Sequence, residues 1–133
     1  MPMDPTENRI GLPGGEFRWR WDAENKILHG ATVGVNDDRL MEAMKARALK
    51  TLAEIPSEVR LLIDLRPATK ISSVGGRKIF FALSKHPKIR KQAYIVTSAV
   101  MKAVANFLFK ASGAKNARIF SNEKEAEDWL KEK

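Results

Sequence analysis

The sequence has no cysteine and only two histidines among its 133 residues. The absence of cysteine excludes disulfides, thiolate zinc sites, iron–sulfur clusters and cysteine nucleophiles. No apolar run approaches the roughly 18 residues that a transmembrane helix needs. The N-terminal residues lack the basic and apolar regions of a secretory signal, so we expect a cytoplasmic protein that folds without covalent cross-links.

Acidic residues are absent from the middle of the chain. Residues 65–122 contain 12 Lys or Arg and no Asp or Glu, whereas the whole chain has 24 basic and 16 acidic side chains and a net charge of +8. This asymmetry predicts a positive potential on one face of the fold. It indicates either an anionic partner or a solvated surface that keeps the protein soluble. Because the basic residues do not form one run, nucleic acid is not an expected partner.

Apolar spacing predicts strands and helices over most of the chain. Residues 1–14 are rich in proline and glycine, which indicates a flexible N-terminal segment. Beyond them, apolar residues recur with the period of either a strand or a helix. The predicted strands span residues 15–22, 26–35, 59–65, 92–97 and 117–120. The predicted helices follow caps at residues 36–38, 72–73 and 122, and a further one spans residues 99–111.

The order of these elements predicts an α/β fold. We expect a mostly parallel sheet of about five strands that about four helices cover, with an N-terminal β-hairpin and a single domain over 15–133. The segment 66–71 is predicted to be a loop. The helix 99–111 is predicted to bury one apolar stripe against the sheet, although Lys102 and Lys110 also suit a helix on a membrane surface. The stripe comprises Val100, Ala103, Val104, Phe107 and Leu108.

Two features predict a binding site around residues 64–78. Asp64 ends an apolar strand, where ligands of open α/β sheets bind, and it suits either an acid/base role or hydrogen bonds to the next loop and Arg66. Small residues and two cations at the following helix start would favour an anion. The predicted site residues are Asp64, Arg66, Ser72, Ser73, Gly75, Arg77 and Lys78.

Recognisable catalytic motifs are missing from the sequence. Neither His29 nor His86 stands near a nucleophile motif, and Asp37 with Asp38 forms a better helix cap than a metal site. We therefore predict no catalytic residues, no metal and no cofactor. The aromatic residues that alternate with arginines in 15–22 could stack on bases, but they are more typical of a strand with one buried face.

Three segments resemble the SpoIIAA-like branch of the STAS fold, which is named after sulfate transporters and anti-sigma-factor antagonists. They are LIDLRPATKISSVGG (62–76), KQAYIVTSAVMK (91–102) and ARIFSNEKEAEDWL (117–130). The resemblance implies a sheet with helices and a role in binding a protein partner, switched by serine phosphorylation in a D-S-S-G-like motif. Aligned without gaps, Val74 takes the acceptor position; a one-residue gap brings Ser73 there, which makes Ser73 the candidate phosphorylation site.

The function predicted from these observations is a non-enzymatic regulatory or protein-interaction module with a basic surface around residues 64–78. It would bind a protein partner or an anionic small ligand, and a homodimer is left open. Similarity in architecture to lipid-carrying CRAL-TRIO domains implies an alternative, a small apolar ligand held beneath a mobile helix. Its lining would be Phe80, Phe81, Phe107, Phe109, Met101 and Met44. At this chain length we expect little volume beyond a packed core.

Overall fold

The structure is a computed structural model that describes residues 7–12, 14–71 and 73–132, and these form seven strands and four helices. The strands are β1 Glu7–Leu12, β2 Gly15–Asp22, β3 Ile27–Asn36, β4 Val59–Asp64, β5 Ala68–Ile71, β6 Ile89–Ile95 and β7 Ala117–Phe120. The helices are α1 Asp38–Glu54, α2 Ser73–Ser84, α3 Ala99–Ser112 and α4 Glu123–Lys131. No helix in these ranges is long and apolar enough to cross a membrane.

All seven strands belong to one sheet in the order β1-β2-β3-β4-β6-β7, and β5 pairs with β3 off this path. The pairs β1–β2 and β2–β3 are antiparallel, whereas β3–β4, β3–β5, β4–β6 and β6–β7 are parallel. The α/β class, the mostly parallel sheet, the N-terminal hairpin and the four helices are therefore confirmed. The hairpin of β2 and β3 turns through residues 23–26, where the Asp22 carboxylate accepts hydrogen bonds from Asn25.

Strand β1 is the first difference from the prediction, which had no strand before residue 15. Glu7–Leu12 pairs antiparallel with β2, from Glu7 opposite Arg20 to Leu12 opposite Gly15. Gly14 has a φ of 93°, which a glycine adopts without strain. An edge strand of this kind depends on its partner strand, so composition alone does not reveal it. The rest of the predicted flexible segment, residues 1–6 and 13, lies outside the described residues.

Strand β5 is the second difference, because residues 66–71 were predicted to be a loop. Strand β3 is ten residues long, but β4 pairs only with its first half, from Ile27 to Ala31. The free edge at Gly34–Asn36 is taken by Ala68–Ile71, and the Gly34 backbone N–H donates to the Pro67 carbonyl at 2.9 Å. Four residues are too few to show the alternation of apolar and polar residues that marks a strand. This strand forms because the backbone groups at the unpaired edge of β3 need hydrogen-bond partners.

The helices cover the two faces of the sheet unequally. One face carries α1, α2 and α3 over an apolar core that includes Leu28 and Leu61. The other face carries α4, whose Ala126 and Leu130 pack against Ile27, Leu62, Ala93 and Ile95. Neighbouring residues of β3 therefore point to different helices, as the alternation of a strand requires. The aromatic residues Phe17 and Trp19 of β2 are buried, which confirms a strand with one core face.

The predicted caps at Asp37 and Asn122 are confirmed. Asp37 caps α1, where its carboxylate accepts from the Leu40 N–H at 2.9 Å. Asn122 caps α4 in the same way, and Gly113 ends α3 in the left-handed conformation with a φ of 69°. Lys88 caps the C-terminal end of α1. Its Nζ donates hydrogen bonds to the backbone carbonyls of Leu52 and Ile55 at 2.6 and 2.5 Å.

Candidate functional site

A cavity of about 470 Å³ lies between the sheet and helices α1, α2 and α3. We call it the apolar cavity, because its polar lining is limited to Thr32, Thr51, Arg77 and Tyr94. Strands β2, β3 and β4 form its floor, and methionines of α1, Phe80 of α2 and apolar residues of α3 form its walls. Little spare volume was expected for a chain of this length, and the cavity shows that this expectation is wrong.

Helix α3 explains the extra volume, because it packs with a different face from the predicted one. Val100, Val104 and Phe107 of the predicted stripe are 72%, 42% and 63% exposed. The core-facing residues of α3 are Met101, Ala105 and Phe109, together with Leu108, the one residue of the predicted stripe that packs against the core as expected. Lys102, Asn106 and Lys110 form one polar stripe, and the apolar surface beside it is too wide for the period to show which part of it is buried. Since Val104 and Phe107 line the cavity and are also exposed, the cavity opens to solvent beside α3.

The Tyr94 hydroxyl is a buried polar group beside the cavity, and its hydrogen-bonding capacity is already used. The Tyr94 hydroxyl donates to Gln92 Oε1 at 2.7 Å, and Gln92 Nε2 in turn donates to Ser84 and Asn116 at 3.2 Å each. Burial raises the pKa of the Tyr94 phenol far above its usual value, so the phenol stays neutral. Tyr94 therefore offers the cavity its ring, while its hydroxyl belongs to a structural network.

The predicted lining residues are largely the observed ones. Met44, Phe80, Met101, Phe107 and Phe109 all line the apolar cavity. The sixth predicted residue, Phe81, packs against the same aromatic cluster from outside, and it borders a smaller pocket at the end of α3. The stacked rings of Phe80 and Phe109, with centroids 5.2 Å apart, join α2 to α3 beside the cavity.

The residues predicted as a site around 64–78 fall into two groups. Asp64 and Arg66 form one ion pair after β4, whereas Gly75 is buried in α2 and both Arg77 and Lys78 are exposed on that helix. Of this set, Arg77 lines the apolar cavity. Ser72 lies outside the described residues. Ser73 begins α2, and its candidate phosphorylation stays a prediction.

Asp64 is held by its neighbour rather than left open to a substrate. Its carboxylate accepts from the Arg66 backbone N–H, Nε and Nη2 at 2.9, 3.0 and 2.9 Å. Burial of Asp64 acts to raise its pKa, but the hydrogen bonds from Arg66 outweigh burial, and the pKa lies below its ordinary value. Asp64 is therefore an anion that stiffens the β4–β5 turn, an arrangement that does not suit a general base.

A separate group of side chains lies on the α4 face of the sheet. Potential ligand atoms of His29, Glu123 and Glu127 all lie within 4.8 Å of one another. Burial, together with the charge of Arg20, lowers the pKa of His29 to about 4. The sequence predicted no metal site and missed this group, because its members come from β3 and α4. The only local signal is the spacing of the two glutamates, four residues apart on one helix.

The arrangement of the sheet and helices can be compared with known proteins. A family model described as SpoIIAA-like matches residues 31–131, which is about three quarters of the chain. The chain belongs to the SpoIIAA-like family. The match begins within β3 and includes all four helices, so the resemblance found in the three sequence segments is confirmed. No curated protein matches the chain.

A crystal structure of similar fold extends this SpoIIAA-like assignment to the N-terminal strands. It is that of an uncharacterized protein from the DUF3478 family, with a SpoIIAA-like fold, from Shewanella loihica PV-4. The TM-score is 0.66 at 16% identity, and the alignment covers 96% of this chain and 98% of that chain. At this identity the likeness shows the fold alone. The fold of the SpoIIAA-like chain therefore includes the β1–β2 region that the family model leaves out.

Proposed function

We propose that this SpoIIAA-like module binds a small amphipathic ligand in the apolar cavity and does not turn it over. The cavity itself carries the proposal. Its volume of about 470 Å³ falls within the range of roughly 300–1,000 Å³ that is usual for small-molecule sites. The cavity opens to solvent beside α3, so a hydrocarbon chain or ring that enters it removes apolar lining from contact with water.

Arg77 supports an anionic head group on that ligand. It is the one charged residue among the described residues that line the cavity, and it is exposed on α2. A guanidinium at the edge of an apolar space pairs well with a carboxylate or a phosphate while the apolar part of the ligand is buried. This arrangement combines the two predictions from the sequence, an anionic ligand near residues 64–78 and an apolar ligand beneath a helix.

Regulatory binding of a protein partner is a second candidate function, and the surface of α3 favours it. Val100 and Phe107 are more than half exposed, and adjacent exposed apolar residues on a water-soluble surface often mark an interaction site. Arg77 and Lys78 would add positive charge to such a surface. Phosphorylation at Ser73 would then act as the switch that the family resemblance implies.

Native mass spectrometry of gently purified protein, compared with the denatured intact mass, tests both candidates. An adduct that is lost on denaturation supports ligand binding and identifies the ligand by its mass. Protein without an adduct, which also gains no thermal stability from dodecanoate or dodecanol, would contradict it. A phosphoryl increment that survives denaturation and maps to Ser73 supports the regulatory switch. The same native spectrum distinguishes a monomer from a homodimer.

A further inference from the structure

We propose that His29, Glu123 and Glu127 bind a divalent transition-metal ion of the Zn²⁺ type between β3 and α4. This site is independent of the proposed function, because it lies on the sheet face opposite to the apolar cavity. The three residues together offer one imidazole nitrogen and two carboxylate groups, whose ligand atoms lie within 4.8 Å of one another. One imidazole with two carboxylates is a ligand set that Zn²⁺ uses with water in the remaining position.

The burial of His29 is the observation that separates this group from an ordinary cluster of surface acids. His29 is only 9% exposed, and its ligand nitrogen lies within 4.8 Å of ligand oxygens of Glu123 and Glu127. The group therefore joins a buried imidazole to two carboxylates that solvent reaches more easily. A neutral imidazole is the commonest metal ligand in proteins, so this mixed nitrogen and oxygen set suits a metal ion.

The fold brings the three side chains together for simple reasons. Ile27 packs against α4, and His29 is two residues later on the same face of β3. Glu123 and Glu127 are four residues apart, so they lie one above the other on one side of α4. Ala126, next to Glu127, is fully buried against the sheet and holds that side of the helix close to β3.

The ligand atoms of the three side chains need to move together only slightly to bind one metal ion. Ligand atoms that bind one Zn²⁺ at about 2.0–2.2 Å lie at most about 4 Å from one another. The ligand atoms of His29, Glu123 and Glu127 lie within 4.8 Å of one another. Glu123 is exposed and Glu127 is half-buried, so both can change rotamer without disturbing the core. A hard cation such as Mg²⁺ would prefer oxygen ligands alone, so the imidazole favours a transition metal.

Neighbouring charges both favour and oppose a cation here. Arg20, which is paired with His29 across β2 and β3, and Lys131 of α4 are positive, whereas Asp22 is negative, as are the two glutamates. Arg66 is a third cation near this group, because its charge interacts with Glu123. The carboxylates therefore do not outnumber the cations, and direct ligation by the three side chains is what favours the metal ion. The metal would fasten the first turn of α4 to the centre of the sheet, so we expect it to stabilise the fold of the C-terminal helix.

The test is titration of the full chain with Co²⁺, followed by competition with Zn²⁺. We expect one equivalent of Co²⁺ to give visible absorption bands that Zn²⁺ removes. The imidazole ¹⁵N signals provide a second readout, since the chain has only two histidines. Zn²⁺ should shift the signals of His29 and leave those of His86 unchanged, which requires no variant to fold.

Matched variants identify the ligands. His29→Gln, Glu123→Gln and Glu127→Gln should each weaken binding at least about tenfold. Glu125→Gln, on the same helix, and His86→Gln, at the other histidine, should bind as the wild type does. The proposal is overturned if binding does not saturate at one equivalent, if the His29 signals do not move, or if His29→Gln retains the wild-type affinity.

Discussion

Phe17 lies directly against the backbone of Gly30, on the strand next to its own. A Cβ atom built at position 30 would approach Phe17 Cζ to 2.9 Å and Ile63 Cδ1 to 3.1 Å. Real Cβ atoms essentially never show a contact under 3.0 Å, and 3.1 Å is already unusually tight, so the ring of Phe17 occupies the place that a side chain at position 30 would take. Because Phe17 and Gly30 both line the apolar cavity, this contact sets the shape of its floor.

The first prediction concerns this contact between Phe17 and Gly30. Gly30→Ala should lower the free energy of unfolding by about 1–3 kcal/mol, since overpacking forces neighbouring side chains off their rotamers. Phe17→Leu in the same chain should recover part of the loss, because it removes the atoms that the new methyl group meets. Urea unfolding of the single and double variants measures both effects. Equal stability of Gly30→Ala and the wild type would show that Phe17 moves freely and that the glycine is not required.

The second prediction tests whether ligands enter the cavity beside α3. Ala103 lines the cavity and is exposed, whereas Ala99 is exposed on the same helix away from it. A ligand present at 100 times its dissociation constant stabilises the fold by about 2.7 kcal/mol, which corresponds to a Tm increase of about 10 °C for a chain of this size. Ala103→Trp should abolish this increase by filling the entrance, and Ala99→Trp should preserve it. A full increase in Ala103→Trp would place the ligand elsewhere.

The third prediction assigns the head group of the ligand to Arg77. Arg77→Gln should weaken binding of dodecanoate about tenfold, which is the size of one charge-assisted hydrogen bond. Binding of dodecanol, which has the same chain and no charge, should not change. Lys78→Gln is the matched control, because Lys78 is the next residue on α2 and does not line the cavity. Equal losses for dodecanoate and dodecanol, or equal losses in both variants, would contradict a direct role of Arg77.

Features set by local pattern were predictable from the sequence. The alternation of aromatic and basic residues predicts β2 with its buried face, and the apolar run at 59–65 predicts a central parallel strand. The caps at Asp37 and Asn122 and the glycine at 113 mark helix ends, because each satisfies backbone groups within its own segment. These elements were sufficient to predict the fold class.

Features that depend on distant partners were not predictable. Strand β5 forms because β3 extends beyond β4, and strand β1 forms along the free edge of β2. Outside the polar stripe of Lys102, Asn106 and Lys110, helix α3 has a wide apolar surface, and its sequence does not say which part of that surface faces the sheet. The cavity depends on which side of α3 faces the sheet. The group of His29, Glu123 and Glu127 depends on how α4 packs against β3. Each depends on relative positions of elements that pair or pack only in three dimensions.

The fourth prediction uses the ion pair of Asp64 and Arg66 after β4. Arg66 donates three hydrogen bonds to the Asp64 carboxylate, and the pair is partly exposed, so Asp64→Asn should lower the free energy of unfolding by only about 1 kcal/mol. Because the folded pKa of Asp64 lies below its usual value of 3.8, the carboxylate contributes its stability above that pH. The contribution is lost as the pH falls through the folded pKa.

The stability difference between wild type and Asp64→Asn should therefore be constant near neutral pH and should shrink below pH 3.8. Urea midpoints measured from pH 7 downward follow this difference. Arg66→Gln should produce the same pH dependence, and the double variant should be no less stable than Asp64→Asn alone, because one interaction cannot be lost twice. A difference that persists undiminished well below that pH would show that the Asp64 side chain stabilises the turn by packing rather than by its charge.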